Sequence, residues 1–271
     1  MRIADTCVVV TGGASGIGCA LALRFAELGA RGVVVADLNA DAAVAVADRI
    51  GGIGVACDVA DPDAIADVVR RAEVAFGPVD IFCSNAGYSD DPAPELTDST
   101  DVFRRIVDVN LLAHVWAAQA VLPAMASRGN GYLLQTISSA ALITGPSGPG
   151  YTLTKHGALG FAEWVSLNYG DRGIKVSCLC PNAVYTGMFG LAPGDITSEP
   201  PQGGSIGEVL RSTDVAAFTI AAMERDEPFL ILPHERVRDS FARKADDYDR
   251  CLEGTRRRLA KMRAQTTTTN D

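Results

Sequence analysis

The chain has 271 residues, nearly half of them hydrophobic (48%), and a formal net charge of −9. This length fits one large α/β domain or two small ones with ample apolar residues for a core, and the acidic balance argues against a nucleic-acid partner. Seven cysteines without regular spacing read as intracellular free thiols, and three dispersed histidines (His114, His156, His234) make no metal-ligand set. The first strand starts within a few residues of Met1 and no apolar run reaches membrane-spanning length, so a cytoplasmic protein with no membrane partner is expected.

Val8-Val9-Val10 is a continuous β-branched run, as a strand buried on both faces of a parallel sheet should be. It leads into Thr11-Gly12-Gly13-Ala14-Ser15-Gly16-Ile17-Gly18, and a helical pattern follows over 19–26. Gly12 can take backbone angles closed to other residues, while Gly16 and Gly18 carry no side chain to hold a ligand or the strand off the helix start. Free N–H groups at that helix start favour a pyrophosphate, so strand, turn, helix and next strand together read as a dinucleotide site. The second strand, 32–37, ends on Asp37, about twenty residues past the turn, where a carboxylate can accept hydrogen bonds from the adenosine ribose. It would repel a 2′-phosphate, and Leu38, Asn39 and Ala40 offer no base to offset that. The pattern reads as NAD rather than NADP.

A helix over 40–50 and a strand over 53–59 come next, then a helix capped by Asp61-Pro62 that runs to Phe76. The fourth strand, 79–84, ends in Asn85-Ala86-Gly87, and a loop with Pro92 and Pro94 leads to a long helical region from Ser99 through Asn110 to Met125. A strand over 131–138, a helix over 151–169 and a strand over 175–180 follow. The alternation predicts a single α/β domain over 1–233, a doubly wound parallel sheet of about seven strands with helices on both faces. Within it, 187–212 is rich in Gly, Pro and Ser with Met188, Phe189, Leu191, Ile196 and Ile206, a candidate substrate lid. A helix over 214–223 and a strand over 229–232 complete the sheet. Residues 234–271 read as a charged, Arg-rich helical tail, solvated or contacting a second subunit, that ends in a disordered run at Thr266 to Thr269.

Tyr151 and Lys155 stand four apart, so a phenol and an ammonium share one helix face. A nearby ammonium stabilises the phenolate and draws its pKa towards working pH. Ser139, just before the loop that leads to this helix, supplies a hydroxyl for an alcohol or carbonyl oxygen beside Tyr151.

On these residues the chain closely resembles the classical short-chain dehydrogenase/reductase family, over about its first 190 residues and the helix at Asp214. Thr11, Gly12, Gly16 and Gly18, with Ser15 and Ile17 among them, match the family's cofactor turn. Asp58-Val59 matches the pair beside the adenine, and Asn85-Ala86-Gly87 the element that steadies the central sheet along the cofactor. Asn110, Ser139, Tyr151 and Lys155 fall on the catalytic positions, and 181–186 on the segment that holds the nicotinamide carboxamide, with Pro181, Val184 and Thr186 as contacts. The resemblance implies a Rossmann-type fold, a homo-oligomer (dimer or tetramer) and NAD-dependent interconversion of a secondary alcohol and a ketone. In that mechanism Tyr151 is the base, Lys155 lowers its pKa and bonds the nicotinamide ribose, Ser139 holds the substrate oxygen, and Asn110 positions a water that links Lys155 to solvent. Leu142, Ile143, Pro146, Pro149, Met188 and Phe189 flank the expected site and point to an apolar alcohol or ketone, although they fit ordinary core positions equally well. Two other functions stay open: a dinucleotide-binding sensor or scaffold without turnover, and an NADP-dependent biosynthetic ketoreductase, which conflicts with Asp37.

Three departures stand out. Asn182 occupies a usual glycine position, and the charged tail replaces a short glycine-containing ending, which puts the tetramer in doubt. Ser138 and Ser139 are adjacent; Ser139 is preferred as the second of such a pair, although its interval to Tyr151 is one residue shorter than usual.

Overall fold

The computed structural model describes residues 1–90, 99–189, 191, 195–200, 208–225 and 228–269, without side chains at 189 and 265–269. Pro92, Pro94, Ile206 and the lid segments 192–194 and 201–207 lie outside the described residues.

The β-branched run forms β1 (Cys7–Thr11), buried at every position, and the glycine turn opens α1 (Gly16–Glu27). β2 (Gly32–Asp37), α2 (Ala40–Asp48), β3 (Ile53–Ala56), α3 (Pro62–Phe76) and β4 (Ile81–Ser84) follow as expected. Asn39 and Asp61 cap α2 and α3 with their side chains, and Pro62 opens α3 where its missing N–H costs nothing. The long helical region is α4 (Thr100–Val107), a widened π-turn (Asp108–Leu112) and α5 (Ala113–Arg128). Then come β5 (Gly131–Thr136), α6 (Pro149–Tyr169) and β6 (Ile174–Leu179). Two short strands not foreseen, β7 (Val184–Tyr185) and β8 (Leu210–Arg211), pair with each other. α7 (Ser212–Arg225) and β9 (Leu230–Ile231) complete the domain.

Among the described residues seven strands form one sheet in the order β3-β2-β1-β4-β5-β6-β9, every neighbouring pair parallel. This is the α/β doubly wound sheet read from the sequence. Side chains alternate across it: Val8 and Val10 pack with α1, α2 and α7, while Val9 packs with α3, α5 and α6. The strand order reverses between β1 and β4, and a ligand crevice is expected beyond the carboxyl ends of those strands.

One expectation needs correction. The stretch Thr100–Arg128 is long and apolar enough, by length and composition alone, to cross a membrane, but half of the window is buried in the fold, as in a core helix. The tail forms α8 (Glu235–Asp246) and α9 (Tyr248–Thr269), and α9 includes Thr266 to Thr269. Each residue added to an existing helix gains one hydrogen bond, which offsets the modest helix propensity of threonine.

Candidate active site

The glycine turn is shaped by close approaches. Gly12 and Gly16 have φ of +62° and +50°, in the left-handed region that favours glycine. A Cβ on Gly12 would stand 2.8 Å from the Ala86 Cα, and one on Gly18 would overlap the Gly12 carbonyl oxygen, so α1 rests directly on the turn. Ser15 precedes α1 without a side-chain cap, which leaves the first-turn N–H groups of the helix to a ligand. Ser15 and Ile17 are half-buried at its rim. Across the turn stands Thr186, whose side chain would lie 3.0 Å from a Cβ on Gly16.

Thr11 and Asn85 tie β1 to β4 at the switch point. The Thr11 hydroxyl accepts from the N–H groups of Asn85 (3.0 Å) and Ala86 (3.2 Å), and the Asn85 amide donates to the Thr11 carbonyl (3.1 Å). Asp37 reaches over the turn: one carboxylate oxygen accepts from Ala14 N–H and the other from Asn39 N–H, both at 3.0 Å. Asp58 accepts from Ala60 N–H (3.0 Å) and from Arg105 Nη2 (2.9 Å). The Arg105 hydrogen bond holds the Asp58 carboxyl below its usual range. Val59 beside it is a core residue.

The chemical groups converge at the start of α6. The Lys155 ammonium lies 5.4 Å from the centre of the Tyr151 ring and donates to the Thr136 carbonyl (3.1 Å). Asn110, in the widened turn, is fully buried; its Oδ1 accepts from Tyr88 N–H (3.0 Å) and its Nδ2 donates to the Tyr88 carbonyl (2.7 Å). A Cβ on Gly87 would touch both Asn110 Oδ1 (3.1 Å) and Lys155 Nζ (3.5 Å), so the three residues meet.

The two adjacent serines take different surroundings: Ser138 is the one that acts on the Tyr151 phenol, drawing its pKa down against burial. Ser139 instead donates its hydroxyl to Asn182 Oδ1 (3.4 Å) and its N–H to the Pro181 carbonyl (2.8 Å). The backbone is extended at Ser138 and enters a short 3-10 turn at Ser139, so the two side chains leave the chain in different directions and meet different partners. The sequence held the signal: counted from Ser138, the interval to Tyr151 regains its missing residue.

Burial dominates the titration of this cluster. Desolvation pushes Lys155 down to about 8. It pushes the Tyr151 phenol up, opposed by the Ser138 hydrogen bond, so the lowering expected from Lys155 does not prevail within the protein. His114, also buried, hydrogen-bonds Gln135 and is pushed down to about 3 by burial and by the Lys155 charge, which keeps it neutral.

Several participants carried no signal in the sequence. Gly148 before α6 offers no side-chain cap, and Asp90 supplies one from sixty residues away, accepting from Gly150 N–H (2.7 Å) and Tyr151 N–H (3.0 Å). Arg105 braces Asp58 from α4. His234 accepts at Nδ1 from Asn182 N–H and donates from Nε2 to the Ala183 carbonyl, both at 3.1 Å. Around the expected substrate side, Leu142 is a core residue, Ile143 and Pro149 are half-buried, and Pro146 and Met188 are exposed. In the nicotinamide segment Pro181 and Val184 are buried and Thr186 half-buried beside Gly16.

With this geometry in place, the chain is set beside known proteins by family, by sequence and by structure. A family model for short chain dehydrogenases matches residues 6–194. The chain is 32% identical over 252 residues to a 1-deoxy-11-beta-hydroxypentalenate dehydrogenase of Streptomyces exfoliatus, covering 89% of each chain. It is also 32% identical over 225 residues to (+)-borneol dehydrogenase 1 of Salvia officinalis, covering 79% of this chain and 85% of that one. In three dimensions it resembles a short chain dehydrogenase/reductase from Burkholderia phymatum crystallised with NAD, with a TM-score of 0.80 at 24% identity over 92% of this chain and 96% of that chain.

Proposed function

The chain belongs to the short-chain dehydrogenase family and is an oxidoreductase acting on CH–OH groups; from that premise we propose that it uses NAD to interconvert an apolar secondary alcohol and its ketone. One observation carries the reading: the Lys155 ammonium lies 5.4 Å from the centre of the Tyr151 ring, in a fold whose glycine turn leaves the start of α1 uncapped.

The residues fit a dinucleotide. Side chains at Gly12 and Gly18 would fill the turn, and the uncapped start of α1 offers N–H groups to a pyrophosphate. Asp37 would hold the adenosine ribose, and Pro181, Val184 and Thr186 the nicotinamide end. NAD, when bound, supplies the hydride acceptor. The protein supplies geometry and proton handling. In oxidation Ser138 donates to the alcohol oxygen, the Tyr151 phenolate accepts the hydroxyl proton, and Lys155 stabilises that phenolate. Asn110 pins the backbone at Tyr88 and so fixes Gly87 against Lys155.

The pentalenate and borneol dehydrogenases among the relatives act on alcohols of ring-bearing terpenoid skeletons. Those names, with half-buried Ile143 and Pro149 near the site, support an apolar cyclic alcohol here. For the cofactor, each hydrogen bond to the Asp37 carboxylate contributes roughly 1.5–3 kcal/mol, and a 2′-phosphate would meet that charge with exposed Leu38 next to it. A preference for NAD of about a hundredfold or more in kcat/KM is expected, since each 1.4 kcal/mol is tenfold. The test compares NAD and NADP with one cyclic secondary alcohol in the unaltered protein and in Asp37→Ala, which should narrow the gap. Equal values, or a preference for NADP, in the unaltered protein would overturn the cofactor assignment.

Leu153, Trp164 and Leu167 are all more than half exposed on α6, which supports a homo-oligomer formed through this helix. Light scattering should then report a dimer or tetramer that Trp164→Glu dissociates; a monomer before substitution would rule it out.

A further inference from the structure

The charged tail has no part in the reaction as proposed, yet its first helix enters the core. Val237 on α8 packs in the same cluster as α3, α5 and α6, and His234 and Lys244 are 3% and 6% exposed. Both polar side chains end on main-chain groups of the two loops that border the reacting centre. His234 bridges Asn182 N–H and the Ala183 carbonyl, in the segment assigned to the nicotinamide. Lys244 donates to the Leu142 carbonyl (2.9 Å). Leu142 closes the short 3-10 turn (Ser139–Ala141) whose N-cap is Ser138. Ser139 stitches the same two loops together through Pro181 and Asn182.

We propose that His234 and Lys244 are positioning residues through which α8 sets the two active-site loops, His234 the cofactor-side loop and Lys244 the serine-side loop. This rests on the cofactor and substrate assignments above. The physical reason is that main-chain groups covered by the His234 ring, itself 3% exposed, cannot be left unpaired without cost. Asn182 N–H needs an acceptor and Ala183 a donor, and a neutral imidazole protonated at Nε2 offers one of each. Burial holds His234 below its ordinary pKa, and the Glu208 carboxylate, before β8, is the ionised side chain that acts on it, pulling the other way. The neutral form therefore holds the loop above about pH 6.5, the ordinary value for histidine. As pH falls below that value and through the depressed one, protonation turns Nδ1 into a donor that faces the Asn182 N–H.

Four measurements on the full chain test this: NADH affinity by fluorescence, KM for the alcohol, kcat and melting temperature. His234→Leu should weaken NADH binding about tenfold or more, the effect of leaving the Asn182 N–H and the Ala183 carbonyl without their partner, with little change in the alcohol KM. Lys244→Met, which keeps the apolar stem, should raise the alcohol KM and lower kcat while leaving NADH affinity within about twofold, because it makes no contact with the 182–183 turn. His234→Gln, whose amide carries one acceptor and one donor, should retain NADH binding at pH 7.5. It should also lack the acid loss of affinity that the unaltered protein shows below about pH 6.5. This variant keeps the test open if His234→Leu fails to fold. Equal losses in both constants for both variants, tracking a lowered melting temperature, would show that α8 is only structural. An identical acid profile in the unaltered protein and His234→Gln would overturn the role of His234. Failure of the unaltered protein to bind NADH would instead sink the functional reading on which this one rests.

Discussion

Tyr151→Phe should bind NADH as the unaltered protein does and lose the chemical step by about a hundred- to ten-thousandfold, the range that a positioned proton acceptor contributes. The substitution removes one oxygen and leaves the ring beside Lys155, so packing and the ammonium–ring contact at 5.4 Å survive. What disappears is the oxygen proposed to receive the alcohol proton, the group on which Ser138 acts. A fall in kcat and kcat/KM together, with NADH affinity intact, is the pattern of an interaction made only in the transition state. Near-normal turnover would remove Tyr151 from the mechanism. A large loss of NADH affinity would show that the ring, not the hydroxyl, matters.

The second large effect separates the adjacent serines. Ser138→Ala should cost about a hundred- to a thousandfold in kcat, as loss of one donor aimed at a reacting oxygen does. Ser139→Ala removes only a 3.4 Å hydrogen bond to Asn182, while its N–H still reaches the Pro181 carbonyl. It should therefore cost less than about tenfold, the worth of one modest hydrogen bond. The opposite ranking would mean that the chain after β5 turns its other face to Tyr151 when substrate is present.

The places in the fold that depend on local spacing were legible in the sequence. The glycine turn sits between a buried β-branched strand and a helix, so its position fixed Gly12, Gly16 and Gly18 together. Asp37 was readable from the end of the second strand, and Tyr151 and Lys155 from one helix turn. Assignments that needed the path of a loop were harder. Ser138 and Ser139 are told apart by where an extended backbone enters a 3-10 turn, and there resemblance favoured Ser139 while the interval to Tyr151 favoured Ser138. Asp90, Arg105, His234 and Lys244 were not legible, for a physical reason. Each meets its partner across 47 to 102 residues of chain, so only the folded sheet brings them together. The tail showed the same limit: its composition read as a solvated helix, and only packing revealed that Val237, His234 and Lys244 turn inward.

The central claim is that this chain moves hydride from an alcohol carbon to NAD, and isotope transfer tests it directly. The unaltered protein is incubated with NAD and a cyclic secondary alcohol that carries deuterium on the carbinol carbon. The reduced cofactor is then analysed by mass spectrometry. One deuterium in the NADH, with the matching ketone formed in equal amount and both formed at least about a hundredfold more slowly in Tyr151→Phe, is the predicted result. NADH without deuterium, or no reduction across a panel of terpenoid, steroid and aliphatic secondary alcohols, would contradict it.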